Sequence, residues 1–333
     1  MKLGLVYQPD SSLSLGAVLH QSKLADEQGF DSLWLTDHVA GSDPRSANPH
    51  EPPDSMTLMA AMAAVTSRVQ LAWAMLNPGF RNPALLAKML ATMDQISNGR
   101  IICSLGSGSR KAEYDAYGMQ FVEDKSERVA FTREVVMLLK ELWTNVAPAA
   151  VTFHGNHVHA EALQFSPQPY RKPHPPIWIG GDSPETLELA RDLADGWVFA
   201  KRPGSEYPRS VLSAPDWPSR PMTVACVTGL VVAETSEAAV ADAKIYYDRL
   251  GNSTSPRAKL RGTFEEFVER EIVGSPEDCA QRIRELASFG VNHLIIVFED
   301  AKQQNNIASL LLPLVGQAAK EPVGHDPRAA LSA

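Results

Sequence analysis

What the chain lacks narrows it first. It has only three cysteines in 333 residues, Cys103, Cys226 and Cys279. They are odd in number and widely spaced, so they build neither a disulfide framework nor a paired metal site. A reduced, cytoplasmic protein is expected. Basic clusters are missing too: the net charge is -8 and is spread along the chain, which argues against a nucleic-acid partner. No apolar run approaches the length of a membrane span, and no membrane partner is expected. The start, MKLGLVYQPD, turns polar too soon for a signal peptide. Neither a G-x-S-x-G elbow nor a Walker loop occurs, which counts against hydrolase and kinase chemistry. No glycine-rich turn follows the first strand, so the nicotinamide-dinucleotide fingerprint is absent.

What is present is a repeat. The apolar fraction of 44% supports a sizeable core. Apolar, β-branched runs predict strands near 2–7, 31–36, 69–76, 100–105, 176–180, 195–199, 223–232 and 291–298. Helices are predicted over 15–28, 55–65, 83–96, 125–142, 184–193, 236–250 and 276–289, with a last one near 307–318. A small hairpin is expected in VTFHGNHVHAEALQF, 151–165, outside the repeat. Residues 40–54 and 201–221 read as loops, and a short helix is expected around FEEFVEREIV. Strand-helix alternation without a second core predicts one (β/α)8 TIM barrel over 1–319, with a frayed tail at 320–333. An open doubly wound sheet is the alternative. In a barrel the active site lies at the C-terminal ends of the strands.

The candidate residues follow from that rule. In IWIGGDSPETLELARDLADGWVF, 177–199, Gly180 and Gly181 end a strand, Asp182 follows, and Ser183 with Pro184 opens a helix. Free N–H groups at such a helix entrance hold phosphates; an ordinary βα turn is the other reading. Gly106, Ser107 and Gly108 end strand four, where small residues let a flat ring lie close to backbone. Asp37 and His38 end strand two. His38 is expected in the active site as a proton carrier, or else as a loop histidine tied to Asp37. Arg81 and Arg110 are candidates to face a substrate anion, with a local ion pair as the other reading for Arg81. Glu113 and Asp115 are expected at the surface or at a helix start. His154, His157 and His159 lack a completing Cys or carboxylate pattern, so a polar hairpin is expected there and no metal site.

Four pieces carry a resemblance: GFDSLWLTDH at 29–38, NPGFRNPALLAKMLATMDQISNGRIICSLGSGS at 77–109, the 177–199 stretch, and GSPEDCAQRIRELASFGVNHLIIVF at 274–298. Together they resemble the bacterial luciferase-like superfamily of flavin- or deazaflavin-dependent oxidoreductases, across nearly the whole chain before the tail. The resemblance implies a TIM barrel, often dimeric, with a reduced flavin in its mouth. It implies that Gly180 to Ser183 hold the cofactor phosphate and that Gly106 to Gly108 pass near the ring system. Ala74 and Met75 would lie against the ring, at a bulge where relatives often carry a non-proline cis peptide. His38 would sit beside the reactive ring.

The leading expectation is a monooxygenase using reduced FMN and oxygen on a small organic substrate, with a separate flavin reductase as partner. The alternative is a hydride-transfer enzyme using a reduced 8-hydroxy-5-deazaflavin coenzyme. The Thr36-Asp37-His38 ending resembles deazaflavin-dependent members. Members that oxidise a sugar phosphate carry a glutamate where Ser109 stands here, which counts against that substrate class. From another class, a non-catalytic ligand-binding or scaffold barrel is the third expectation.

Overall fold

The computed structural model describes residues 1–7, 14–40, 52–145, 148–200, 207–251, 262–298 and 300–315. Its parallel strands are β1 (Lys2–Tyr7), β2 (Ser32–Leu35), β3 (Gln70–Trp73), β4 (Cys103–Leu105), β5 (Ile177–Gly180), β6 (Gly196–Ala200), β7 (Thr223–Val232) and β8 (His293–Val297). In the sheet they run β3-β2-β1-β8-β7-β6-β5-β4. Isolated bridges Leu71–Ile101 and Leu76–Leu105 join β3 to β4. The result is a nearly closed eight-stranded parallel barrel flanked by helices, as the repeat predicts.

Strand alternation sorts the core into two sets. Val6, Trp34, Ala72, Ile102, Trp178, Val198, Ala225, Ile295 and Val297 fill the barrel lumen. Their neighbours, among them Leu5, Leu33, Trp73, Leu105, Ile179 and Phe199, pack outward with the helices. Both faces of each strand are therefore apolar, which is why the sequence shows continuous runs and not an apolar-polar alternation. The floor is plugged by Trp34 and Trp178, whose rings lie 5.5 Å apart. Their bulk requires glycine opposite: a Cβ on Gly196 would come within 2.7 Å of the Trp178 ring. The Trp34 indole donates to Ser32 Oγ at 2.7 Å, and His293 Nε2 meets the same oxygen at 2.8 Å. With the floor filled, the mouth at the C-terminal strand ends is the open face.

The helices begin where capping residues predict. The Asp54 carboxylate accepts from Thr57 N–H at the start of α2 (Ser55–Val65). Asn82 does the same for α3 (Pro83–Ile96), whose first residue is proline. Asp124 caps α5 (Lys125–Thr144). Gly29, at φ 102, ends α1 (Leu15–Gln28).

Several expectations need correction. The glycine-rich segment after β4 contains a short helix, α4 (Lys111–Ala116). The 201–221 loop contains the helix Tyr207–Leu212, and residues 201–206 lie outside the described residues. The last helix starts earlier than 307, at Ala301, and passes through a π-type turn at Ile307–Leu311. The strand Ile272–Gly274, which pairs with β7, has no counterpart in the sequence reading; it follows the expected helix, found at Phe264–Arg270. The hairpin forms from Val151–His154 and His159–Leu163. Glu134 of α5 holds its turn by accepting from the N–H groups of Asn156, His157 and Val158. Most of the 40–54 loop and the whole expected tail lie outside the described residues. Among the described residues no helix is long and apolar enough to cross a membrane.

Candidate active site

Asp37 and His38 are neighbours that part ways at the end of β2. Asp37 turns inward and is 4% exposed. Its carboxylate takes both arms of the Arg81 guanidinium, at 2.7 and 2.9 Å. It also accepts from the Asn77 N–H at 2.9 Å and from the Ser55 hydroxyl. One side chain thus ties β2 to the start of α2 and to the turn before α3. Burial works against the Arg81 charge, yet the Asp37 and Asp54 carboxylates beside it hold its pKa above the usual arginine value. Arg81 is therefore engaged inside the wall, and the substrate-facing orientation considered for it is not the one observed. Nor does Asp37 touch the His38 ring; its bonds are to the wall.

His38 faces the mouth and is partnered from α4. Its Nδ1 lies 3.0 and 3.3 Å from the two Glu113 oxygens. Of the two expectations for Glu113, the helix start holds, since it lies in the first turn of α4, and the surface does not: its side chain is 5% exposed. Asp115 is at the surface, paired with Lys111 at 2.7 Å. Arg110 approaches Glu113 at 3.8 Å, so it does join the His38 cluster. Burial lowers the Arg110 pKa, with Glu113 opposing. An ionised carboxylate only accepts hydrogen bonds. The hydrogen of a contact with the carboxylate sits on Nδ1, which points Nε2 toward the mouth as the atom able to exchange a proton. A carboxylate behind the ring also stabilises the cation that forms when that proton arrives.

α4 is fixed in turn by Tyr114, whose hydroxyl donates to Asn77 Oδ1 at 2.9 Å. The same Asn77 oxygen accepts from Gly79 N–H at 3.0 Å. Gly108, at φ +71, lets the loop pass: a Cβ there would come within 2.8 Å of the Tyr114 hydroxyl. Asn77, Tyr114 and Glu113 were not legible as site residues.

Across the mouth the wall is backbone. The Ala74–Met75 peptide is cis. The Met75 side chain spans β3 to β5: a Cβ on Gly180 would lie 2.6 Å from its Sδ, and one on Gly106 3.0 Å from its Cβ. Pairing of β4 with β5 brings Gly106 and Ser107 alongside Gly180, and a narrow crevice between them runs to Thr186. Gly181 adopts φ +131, a conformation other residues rarely take. Its carbonyl accepts from the Trp197 indole at 2.7 Å. Ser183 then caps α6 (Pro184–Leu193) by position; its hydroxyl meets Thr186 Oγ1 at 2.9 Å and makes no bond to the helix backbone. Asp182 offers its carbonyl to the Tyr207 hydroxyl at 3.4 Å. The exposed Glu185 carboxyl is held below its usual range by its own backbone N–H and by Ser183. An acceptor of phosphate type fits the same entrance by replacing that carboxylate. The glycine cradle and the helix entrance, where a phosphate would take the place of the Glu185 carboxylate, thus fit a phosphorylated flavin-type cofactor.

Among the described residues no group of three or more His, Cys, Asp or Glu could hold a metal ion. His154 and His157 instead meet Glu161 and Glu127, at 3.4 and 3.3 Å.

Comparisons with known proteins agree with this geometry. A family model described as luciferase-like monooxygenase matches residues 3–293. An F420-dependent glucose-6-phosphate dehydrogenase of Amycolatopsis mediterranei is 35% identical over 186 residues, 55% of this chain and 52% of the relative. The chain thus matches about half the length of that relative. An FMNH(2)-dependent dimethylsulfone monooxygenase of Pseudomonas putida is 27% identical over 329 residues, covering 90% of this chain and 88% of the relative. A solved F420-dependent secondary alcohol dehydrogenase, in complex with an F420-acetone adduct, gives a TM-score of 0.77. It is 19% identical, with 94% of this chain and 98% of that one covered, so the likeness is one of fold.

Proposed function

The chain belongs to the luciferase-like monooxygenase family and is a flavin-dependent oxidoreductase; from that premise we propose that it is a deazaflavin-dependent hydride-transfer enzyme acting on a small hydroxyl-bearing organic substrate. This reverses the order of the two expectations drawn from sequence. The observation that carries it is the His38–Glu113 pair at 3.0 Å. A carboxylate-backed histidine with a free Nε2 suits the removal of a hydroxyl proton. The local matches to deazaflavin-dependent relatives support the same side.

A bound deazaflavin supplies a hydride acceptor. The residues of the chain do the rest. Gly180 to Ser183 and the entrance of α6 bind the phosphate. Ala74, Met75 and Gly106 to Gly108 form the surface against which the ring lies. His38 Nε2 takes the hydroxyl proton as the carbon beside that oxygen loses its hydride, and Glu113 holds the resulting imidazolium. Arg110 borders the pair and moderates the Glu113 charge. Asp37 and Arg81 keep the wall rigid.

A second reading, the FMN-dependent monooxygenase with a separate reductase, is favoured by the dimethylsulfone monooxygenase match over 90% of the chain. Side-by-side titration of reduced deazaflavin and reduced FMN separates the two. Tight binding of the deazaflavin alone is expected; tight binding of FMN alone would overturn the proposal. We also propose a homodimer. The outward faces of α2 and α3 support it, because Val65, Leu85 and Ile96 are exposed there. Light scattering of a monomer at micromolar concentration would refute that assembly.

A further inference from the structure

The interior arginines of the wall commit their donors to the chain. Arg81 places both arms on Asp37. Arg100 uses all three nitrogens, donating to the carbonyls of Ala63, Thr66, Val69 and Ser97 and to the Thr66 hydroxyl. Arg68 donates to the carbonyls of Asp26 and Phe30. Arg110 differs. Its side chain is only 22% exposed, yet among the described residues its guanidinium makes no hydrogen bond. The carboxylate beside it, Glu113, stands off at 3.8 Å and is already bonded to His38 at 3.0 Å. Lys111, next in the chain, is paired with Asp115.

Donors withdrawn from water without a partner are costly. Burial accordingly pulls Arg110 below the usual arginine value despite Glu113, whereas the bonds to Asp37 hold Arg81 above it. A fork of uncommitted donors is matched by a carboxylate that arrives with a ligand. Glu113 sets where that ligand lies. Its Oε1 takes His38 Nδ1 on one side and faces Arg110 Nη1 on the other. The imidazole and the guanidinium therefore fall within reach of one small molecule. Glu113 repels an incoming acid, and the Arg110 charge offsets that repulsion.

Resting on the deazaflavin reading, we propose that the substrate is a hydroxy acid, whose carboxylate is held by Arg110 while its hydroxyl meets His38 Nε2. The C–H bond at the hydroxyl carbon breaks, and its electron pair leaves as hydride to the bound deazaflavin. The hydroxyl proton passes to His38 Nε2, and the C–O bond becomes a carbonyl. The acid thus loses two electrons to the cofactor and leaves as an oxo acid. Arg110 stays charged throughout; it selects for an anion near the hydroxyl and moves no proton.

The test uses the full chain loaded with oxidised deazaflavin and a panel of 2- and 3-hydroxy acids, each a secondary alcohol paired with its neutral amide. Calorimetry with the matching oxo acids and oxo amides reads binding without turnover, and absorbance reads reduction by the hydroxy forms. At least one oxo acid should bind about tenfold more tightly than its amide, with the gap shrinking as salt rises. Arg110→Met should close the gap. Arg110→Lys should keep part of it, because a point charge remains without the fork. The denaturant midpoint and the affinity for deazaflavin should hold in both variants. A fallen midpoint would make Arg110 a structural residue, and a loss of deazaflavin affinity would make it a cofactor contact; either overturns the proposal. A phosphorylated secondary alcohol that outbinds every acid would overturn the carboxylate class. Equal binding of acids and amides by the native chain would remove the anchor and leave the hydride-transfer reading standing. Preference for acids with no reduction of the deazaflavin by any of them would instead remove that reading, and the substrate assignment with it.

Discussion

Around β2 to β4 the mouth is held by side chains, whereas around β5 and β6 it is held by backbone. In the first sector Arg81, Asp37, Asn77 and Tyr114 form a chain of hydrogen bonds, and Glu113, next to Tyr114 on α4, carries the bond to His38. In the second, Gly180 and Gly181 bend the strand end, and the contacts to the wall run through carbonyls and N–H groups, such as Gly181 N–H to Val198 O at 2.9 Å. The division matches the proposed tasks. A proton carrier needs one orientation and a supporting charge, which only side chains supply. A phosphate needs several converging donors and close approach, which a glycine turn supplies best.

The comparison breaks most visibly at Asp37. Asp37→Ala would take its two-armed partner from the buried Arg81 and leave it only the exposed Asp54 carboxylate at 3.6 Å, a change that costs about 3 kcal/mol of stability. The denaturant midpoint should fall with little change in slope. A midpoint within error of the native chain would mean that the side-chain sector does not depend on this pair.

Next in size is His38→Ala, which should lower turnover by about 10²-fold or more and leave cofactor affinity nearly constant. Glu113→Gln keeps the shape but loses the charge behind the ring. It should cost about tenfold in turnover and leave cofactor affinity nearly constant. Native turnover in Glu113→Gln would reduce Glu113 to a packing role.

Gly181→Val probes the other sector. The φ of +131 and the Thr186 methyl, 3.0 Å from an added Cβ, both oppose the new side chain. Cofactor affinity should drop by about tenfold, while the rate with saturating cofactor changes little. Titration with rate measurement at saturation distinguishes this from the His38 pattern, in which the two effects are reversed.

The effect that is smallest near neutral pH belongs to the barrel floor, which serves neither sector. Burial pulls the His293 imidazole down to about 3, with Lys2 and the amino terminus adding repulsion. An unfolded histidine titrates near ~6.5. Above that value neither state is charged, and the stability from this site is complete. As pH falls from there toward 3, the unfolded chain takes up the proton and the native one does not. Stability should decline by up to about 1.4 kcal/mol per pH unit over that window. His293→Asn should flatten the slope; an unchanged slope would assign acid lability elsewhere.

Legibility in the sequence followed the same division. The eight strands could be read because each is a short apolar run stopped by Gly, Asp or a polar turn. The Gly180 to Ser183 cradle could be read because its geometry is local, set by consecutive residues. Glu113 could not. Its helix is six residues long, too short for a period to show which face is buried, and its contact with His38 spans 75 positions. Arg81 was visible as a charge at a strand end, but its partner lies 44 positions away. Local pattern fixes where a side chain starts; the choice of a long-range partner depends on how α4 and the turn before α3 pack together.

The most direct test of the central claim is oxygen-free single turnover. The native chain with bound oxidised deazaflavin is mixed with a panel of small secondary alcohols and sugar phosphates, and reduction of the chromophore is followed by absorbance. Hydride transfer predicts reduction by at least one hydroxyl compound without oxygen, slowed by about 10²-fold or more in His38→Ala. No reduction across the panel, together with oxygen-dependent consumption of an organic substrate by the chain loaded with reduced FMN, would contradict it.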